Sequence, residues 1–235
     1  MRILQILRSL GFRIYSRPFE LNIIGVRSSK AVPLTFDDKI HVVYKNDNGK
    51  WVHYKFDCTT DPSSYYLENP IFPKGTALLK QGQYIGAYRI GFHKGTYKAL
   101  VQSSPVTVYR NSDRNSQLDL FSSEETGLFG INIHRARSTG STLYIDKYSA
   151  GCQVFKNASD FILFMGLCDK HRSLYGNSFT YSLIDFRDQN RHFFKTLILL
   201  GLSAFTSLLG IQLYKTITNE KPTIQTAPSR QKRKL

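Results

Sequence analysis

The sequence of 235 residues contains little cysteine, methionine and tryptophan, with three, two and one residues respectively. Three cysteines are too few for a disulfide-stapled scaffold, and their spacing to histidine does not fit a zinc site. The chain also lacks a Walker loop, a Rossmann glycine fingerprint and internal repeats. We therefore expect no bound nucleotide, no resident metal and no other cofactor.

Acidic residues are also scarce. The chain has 17 Asp and Glu residues against 32 Lys and Arg residues, which gives a net charge of +15. A hydrophobic content of 41% with 13% aromatics can build a core, which excludes disorder of the whole chain. The excess charge suggests an anionic partner such as nucleic acid, an anionic membrane or an acidic polymer. It lies mainly at the ends, with +4 in residues 1–17 and +5 in residues 215–235. This distribution favours segments beside a membrane, and we expect no nucleic-acid partner.

One long uncharged run lies near the C-terminus. Residues 196–214 read TLILLGLSAFTSLLGIQLY and are flanked by Lys195 and Lys215. At a rise of about 1.5 Å per residue the run covers about 28 Å, close to the thickness of a bilayer core. It predicts a single transmembrane helix over residues 193–214, and the alternative is a buried helix of a soluble domain. The basic tail 215–235 is expected to be disordered. The positive-inside rule favours a cytoplasmic tail with the preceding domain on the periplasmic side of the inner (cytoplasmic) membrane, and the alternative is a domain that stays inside the cell until the membrane fails.

Residues 1–19 form a basic segment whose apolar residues recur at helical spacing. Arg2, Arg8 and Arg13 lie between them, and neither an unbroken apolar stretch nor a small-residue cleavage site follows. The segment is therefore a poor secretory signal. Two interpretations stay open, an amphipathic helix on a membrane surface and a helix packed on the following domain.

Residues 20–186 predict one mainly β domain, because short runs rich in Val, Ile, Tyr and Phe alternate with turn residues. Asn48-Gly49 supplies a tight turn for a hairpin between residues 39–45 and 51–56. Further strands are expected at residues 97–102, 106–110, 128–134, 142–145 and 179–184, and one helix at residues 158–172, capped by Asn157 together with Asp160.

Chemically reactive residues concentrate between residues 129 and 155. In a strand, His134 shares a face with Asn132, while the neighbouring isoleucines share the other. Eighteen residues after the histidine comes Cys152, preceded by Gly151, which lets the backbone bend and approach a substrate closely. A nearby histidine can hold a cysteine as the nucleophilic thiolate, and amides of such a turn can donate to an oxyanion. Taken alone, one Cys and one His within twenty residues favour a small buried apolar cysteine over a catalytic pair.

The pattern as a whole resembles the L,D-transpeptidase catalytic (YkuD-like) domain, in particular the type found in Bacteroides-like bacteria and their phages. The resemblance covers residues 23–184 and depends on TTDP at 59–62, GINIHRA at 130–136 and SAGCQVF at 149–155. It implies a mainly β fold, a β-sandwich with one packed helix, as the catalytic domain over residues 20–186.

The resemblance also implies roles for individual residues. The chain departs from the family pattern at Arg135, where a small residue is usual, and at Val154, where an arginine is usual. The expected catalytic residues are Cys152, His134, Ser149 and Gly151, and the expected substrate-binding residues are Asn132, Arg135, Gln153 and His93.

These residues imply a membrane-attached cysteine enzyme acting on peptidoglycan stem peptides, by transpeptidation or by hydrolysis. Cys152 would attack the carbonyl between a diamino acid and D-Ala, His134 would carry the proton, and Ser149 would orient His134 or contact substrate. The alternative is a non-catalytic membrane-anchored binding or structural protein with a basic tail.

Two weaker patterns concern a metal site and a disulfide. Residues 111–119 have the alternating oxygen ligands of a calcium loop but lack its glycine and its final glutamate, so a polar hairpin loop is the alternative. Cys58 and Cys168 are compatible with a disulfide in an oxidising compartment and with two separate buried thiols.

Overall fold

The computed structural model describes residues 2–30, 32–120 and 122–185. The predicted transmembrane helix 193–214 and the tail 215–235 lie outside the described residues. Within the described part of the chain, no helix combines the length and the apolar character needed to cross a bilayer.

The described residues are mainly β, as predicted. The strands are β1 (Asn22–Arg27), β2 (Asp38–Lys45), β3 (Trp51–Thr59), β4 (Thr76–Leu79), β5 (Gly82–His93), β6 (Tyr97–Gln102), β7 (Val106–Asn111), β8 (Glu124–Gly127), β9 (Ile133–Arg135), β10 (Gln153–Phe155) and β11 (Phe179–Asp185). Eight of these strands close into a barrel in the order β1-β11-β5-β6-β9-β10-β3-β2, and the other three form a separate sheet in the order β4-β7-β8. The helices are α1 (Arg2–Ser9), α2 (Ser64–Glu68) and α3 (Ala158–Tyr175), with a 3₁₀ turn at Asp146–Tyr148.

The larger sheet corrects the expectation of a β-sandwich. β1 pairs in parallel with β11 and antiparallel with β2, so the first and last strands of the domain join the two edges of one sheet. Closure removes edges that would otherwise be free to pair with other chains. This pairing connects strands more than 150 residues apart, and no local pattern in the sequence signals it.

The predicted hairpin is confirmed, with β2 and β3 in register from Asp38↔Cys58 to Lys45↔Trp51. Two other predictions are wrong. Residues 128–134 contribute only the end of the run to β9, and residues 142–145 form no strand but only an isolated bridge between Thr35 and Tyr144. The long strand β5 is not predicted from strand propensity, because three of its residues are glycine, which disfavours strands.

The N-terminal helix is packed on the barrel, which decides between the two open interpretations. The buried side chains of Ile3, Leu4 and Leu7 contact an apolar cluster that includes Ile24 and Ile184. Burial of the apolar face stabilises the helix against the domain.

The predicted helix 158–172 corresponds to α3, and it supports β10, the strand that follows Cys152. Phe161 and Phe164 lie against Phe155 of β10, with ring centroids 5.5 and 4.9 Å apart. The expected capping box is wrong in detail, because the Asn157 side chain donates to the Asp160 carboxylate at 3.0 Å instead of bonding a backbone amide. Cys58 and Cys168 are separate, fully buried thiols.

Candidate active site

The site is built on the parallel pair β9 and β10. Val154 is in register with His134, and the backbone amide of Gln153 donates to the backbone carbonyl oxygen of Asn132 at 2.8 Å. Cys152 therefore immediately precedes β10 and lies beside the start of β9. Ile133 points into the core and His134 points to the cleft, so the predicted alternation of faces is confirmed.

A constrained turn delivers the cysteine. Gly151 has φ of 118°, and a Cβ there would collide with the Ala77 carbonyl oxygen, so this position requires glycine. The Ser149 hydroxyl lies 2.8 Å from the carbonyl oxygens of Asp61 and Cys152 and accepts from the Gly151 amide at 3.3 Å. These contacts hold the turn together, and they correct the expectation that Ser149 orients His134.

The His134 ring is buried and held in one tautomer. Its Nδ1 lies 2.9 Å from the Arg135 carbonyl oxygen, which can only accept, so Nδ1 carries the proton and Nε2 carries the free lone pair. The ring stacks on His93 at a centroid distance of 4.0 Å. Burial, and after it the adjacent His93, lowers the pKa of His134 to about 3. Nε2 is buried and has no hydrogen-bond partner among the described residues.

The Cys152 thiol is half-buried and donates to the Gly130 carbonyl oxygen at 3.4 Å. Burial raises the pKa of Cys152, and the Asn132 backbone amide and the Lys94 charge only partly oppose this effect. Both pKa shifts favour uncharged groups, so the resting site contains a neutral thiol and a neutral imidazole. The expectation that His134 holds Cys152 as a resting thiolate is therefore corrected.

This resting state predicts the pH dependence of Cys152 alkylation. The thiolate fraction, and with it the rate with iodoacetamide, should rise about tenfold per pH unit from pH 6 to 9, because the thiol pKa lies above its ordinary value of 9.0. The adduct is read by intact mass, and Cys152→Ala should show almost none, because Cys58 and Cys168 are fully buried. A rate plateau between pH 5 and 8 would instead reveal a preformed thiolate–imidazolium pair.

Cys152 and His134 line one cleft of about 490 Å³ between the barrel and the β4-β7-β8 sheet. Its other walls come from α2, the loop that follows it, and the 3₁₀ turn before Cys152. The other lining residues with polar or charged side chains that could act on a substrate include His93, Asn132, Lys94, Arg110, Glu125 and Lys147. His93 and Asn132 are predicted from the sequence, and the other four are not.

Asn132 and His93 are connected within this cleft. The side-chain nitrogen of Asn132 lies 3.1 Å from His93 Nδ1. The side-chain oxygen of Asn132 accepts a hydrogen bond from the backbone amide of Gln102 at 3.0 Å. Asn132 therefore fixes the ring that stacks on His134. Both residues remain candidates for substrate contact, with a clear positioning role.

Two predicted substrate-binding residues lie outside the cleft. Gln153 is fully buried inside the barrel, where its side chain accepts from the Tyr181 hydroxyl at 2.7 Å, because it alternates with Cys152 along the chain. The Arg135 guanidinium lies 4.4 Å from the centroid of the Tyr97 ring and contacts the Ser138 carbonyl oxygen. Neither side chain lines the cleft, so both assignments are corrected.

The loop that resembles a calcium site is internally bonded. Asn111 donates to the Gln117 carbonyl oxygen at 2.7 Å, and the Asn115 side chain accepts from the Gln117 amide at 2.9 Å. Across the described residues, no cluster of three or more His, Cys, Asp or Glu side chains is arranged to hold a metal ion. The hydrogen bonds are those of a polar loop.

Comparison of the chain with protein-family models, with curated proteins and with solved structures yields no match. The likeness to L,D-transpeptidases therefore depends on the quoted motifs and remains a prediction.

Proposed function

We propose that the chain is a cysteine acyltransferase or peptidase that acts on peptidoglycan stem peptides through an acyl-enzyme on Cys152. The observation that carries the proposal is Nε2 of His134, which lies in the same cleft as the Cys152 thiol. This nitrogen is buried and unprotonated, and no described residue offers it a hydrogen bond. A buried nitrogen without a partner carries a desolvation cost, and proton transfer in a reaction supplies a reason for that cost.

In the proposed mechanism His134 Nε2 takes the thiol proton while the sulfur attacks the peptide carbonyl. The proton then passes to the leaving amine as the peptide C–N bond breaks. An incoming amine or water next attacks the thioester and gives its proton to His134. The sulfur–carbon bond then breaks and the sulfur takes the proton back from His134, which releases a cross-link or a hydrolysed stem and restores the Cys152 thiol. The Gly151 amide already donates to the Ser149 hydroxyl, so in this scheme the backbone amide of Cys152 would serve as the oxyanion donor. Such a donor contributes about 3 kcal/mol in other enzymes.

The neutral resting pair fits this general-base scheme. Closure of the cleft by a substrate removes water from the thiol and the imidazole, so the proton moves as the sulfur–carbon bond forms. The proposal includes attachment to the inner membrane through residues 193–214, with the catalytic domain on the periplasmic side and the basic tail 215–235 in the cytoplasm. This arrangement would place the cleft in the compartment that contains peptidoglycan.

The proposal is tested by intact mass spectrometry of the full-length chain incubated with a stem tetrapeptide that ends in D-Ala. We expect a mass increase equal to the tripeptide acyl group, on a peptide that contains Cys152, with release of D-Ala. Cys152→Ala should show neither product. Binding of the peptide without adduct or D-Ala release would support the non-catalytic alternative and contradict the proposed enzyme.

A further inference from the structure

The cleft around Cys152 has a positive charge that the general-base chemistry does not use. Three cations line it from three different elements: Lys94 in the β5–β6 turn, Arg110 on β7 and Lys147 in the 3₁₀ turn. Among the described lining residues Glu125 is the single acid, so their formal charge is +2 with neutral histidines. Such a cleft favours an anionic ligand.

Two of these cations already have partners. Arg110 Nε donates to Glu125 at 2.7 Å, and the guanidinium lies 4.7 Å from the centroid of the Phe129 ring. The Lys147 ammonium lies 4.5 Å from the centroid of the Tyr65 ring. Both groups are therefore oriented by protein contacts.

Lys94 differs from them. It is exposed in a tight hairpin turn at φ 48°, and no carboxylate pairs with it within the described part of the chain. Its charge nevertheless reaches the reacting groups, because it helps to lower the pKa of His134 and opposes the rise in the pKa of Cys152 that burial causes. Among the described residues, Lys94 is thus a cation of the Cys152 cleft that pairs with no carboxylate.

The mouth of the cleft adds an apolar wall. Ile71, Phe72 and Leu128 line it while remaining 62%, 60% and 66% exposed. Exposed large apolar side chains around a charged cleft mark a surface that a ligand covers. A ligand that suits both features has an aliphatic chain and a carboxylate.

We propose that Lys94 forms a carboxylate-binding subsite in the cleft of Cys152, which selects acyl donors that bear a free carboxylate on the residue whose carbonyl is attacked. This inference rests on the proposed function for the acyl donor, but the subsite itself is measurable without turnover. The ammonium would pair with the carboxylate in a partly desolvated cleft, where a single charge pair is stronger than in water.

Two alkylating reagents of nearly equal size measure the subsite in the full-length protein. Iodoacetate and iodoacetamide both react by displacement of iodide with formation of a sulfur–carbon bond, and iodoacetate alone carries a carboxylate. Because the same thiolate reacts with both, their rate ratio at Cys152 cancels any change in thiol pKa. Cys58 and Cys168 are fully buried, so the native-state adduct reports Cys152.

We expect Lys94→Met to lower the iodoacetate-to-iodoacetamide ratio about fivefold, the effect of removing one nearby charge. Lys94→Arg keeps the charge and should keep the ratio. Lys50→Met, which removes an exposed lysine from the β2–β3 turn away from the cleft, should also keep it. An unchanged ratio in Lys94→Met would overturn the subsite.

A pair of stem peptides, one with a free carboxylate on the diamino acid and one with that carboxylate amidated, separates this inference from the proposed function. If the peptide with the free carboxylate acylates Cys152 faster and this preference disappears in Lys94→Met, the result supports both the Lys94 subsite and the proposed enzyme. Equal acylation of the two peptides by the native protein contradicts the Lys94 inference and leaves the enzyme standing. If neither peptide acylates Cys152 while the reagent ratio still depends on Lys94, the enzyme fails and the carboxylate subsite stands.

Discussion

His134→Asn should slow the acylation of Cys152 by about 10²–10⁴-fold, the usual cost of losing a positioned general base. The asparagine amide can still donate to the Arg135 carbonyl oxygen as Nδ1 does, at 2.9 Å in the native site, but it places no lone pair at Nε2. The substitution thus separates proton transfer from support of β9. The rate is measured as the appearance of the acyl-enzyme mass at a fixed peptide concentration.

His53→Asn is the matched control, because His53 lies on the exposed face of β3 outside the cleft. It should leave the acylation rate within about a factor of two, as surface substitutions usually do. Circular dichroism of His134→Asn should match that of the native chain. A well-folded His134→Asn protein that acylates at the native rate would remove His134 from the mechanism and leave it a buried structural histidine.

The sequence predicts the core of this site because two local rules act there. Side-chain alternation in a strand places Asn132 and His134 on one face, and the backbone freedom of Gly151 lets the turn before Cys152 pack against β4. Both rules depend only on neighbouring residues. They therefore hold whatever the rest of the chain does.

The remaining lining residues depend on contacts that no local rule contains. Lys94 and Arg110 reach the cleft because β5 and β7 belong to different sheets that meet around the Cys152 turn. Gln153 shows the converse, since proximity to the cysteine suggests a substrate contact while alternation directs its side chain into the barrel. Strand alternation alone is sufficient to place the Gln153 side chain inside the barrel.

Arg27→Met should cost about 3–5 kcal/mol of unfolding free energy, because it leaves buried carboxylates without their counter-ion. Arg27 is fully buried in the barrel, with Nε 2.6 Å from Asp61 Oδ1 and Nη1 3.0 Å from Asp185 Oδ2. Nη2 donates to the Thr60 and Leu79 carbonyl oxygens at 3.0 Å. Although burial alone would lower the pKa of Arg27, the charges of Asp61, Asp185 and Asp38 raise it.

The cost is measured by urea unfolding of the full-length chain, followed by circular dichroism. Lys98→Met is the control, since it removes the half-exposed Lys98–Asp169 pair and should cost less than about 1 kcal/mol. A cost of Arg27→Met no larger than that of the control would show that the buried cluster contributes little to stability.

The cost should also be recoverable. Combining Arg27→Met with Asp61→Asn and Asp185→Asn removes the charges of the two carboxylates that pair directly with Arg27. The buried Asp38 carboxylate remains and keeps its hydrogen bonds from Ser28 and Thr60. Neutral replacements of buried ion clusters are often close to neutral in stability. We therefore expect the triple variant to be more stable than Arg27→Met alone. The turn that precedes Cys152 should also persist in the triple variant, because Ser149 contacts the backbone carbonyl oxygen of Asp61 and not its carboxylate. A triple variant less stable than Arg27→Met would instead mean that the aspartates stabilise the barrel through their own hydrogen bonds, independently of Arg27.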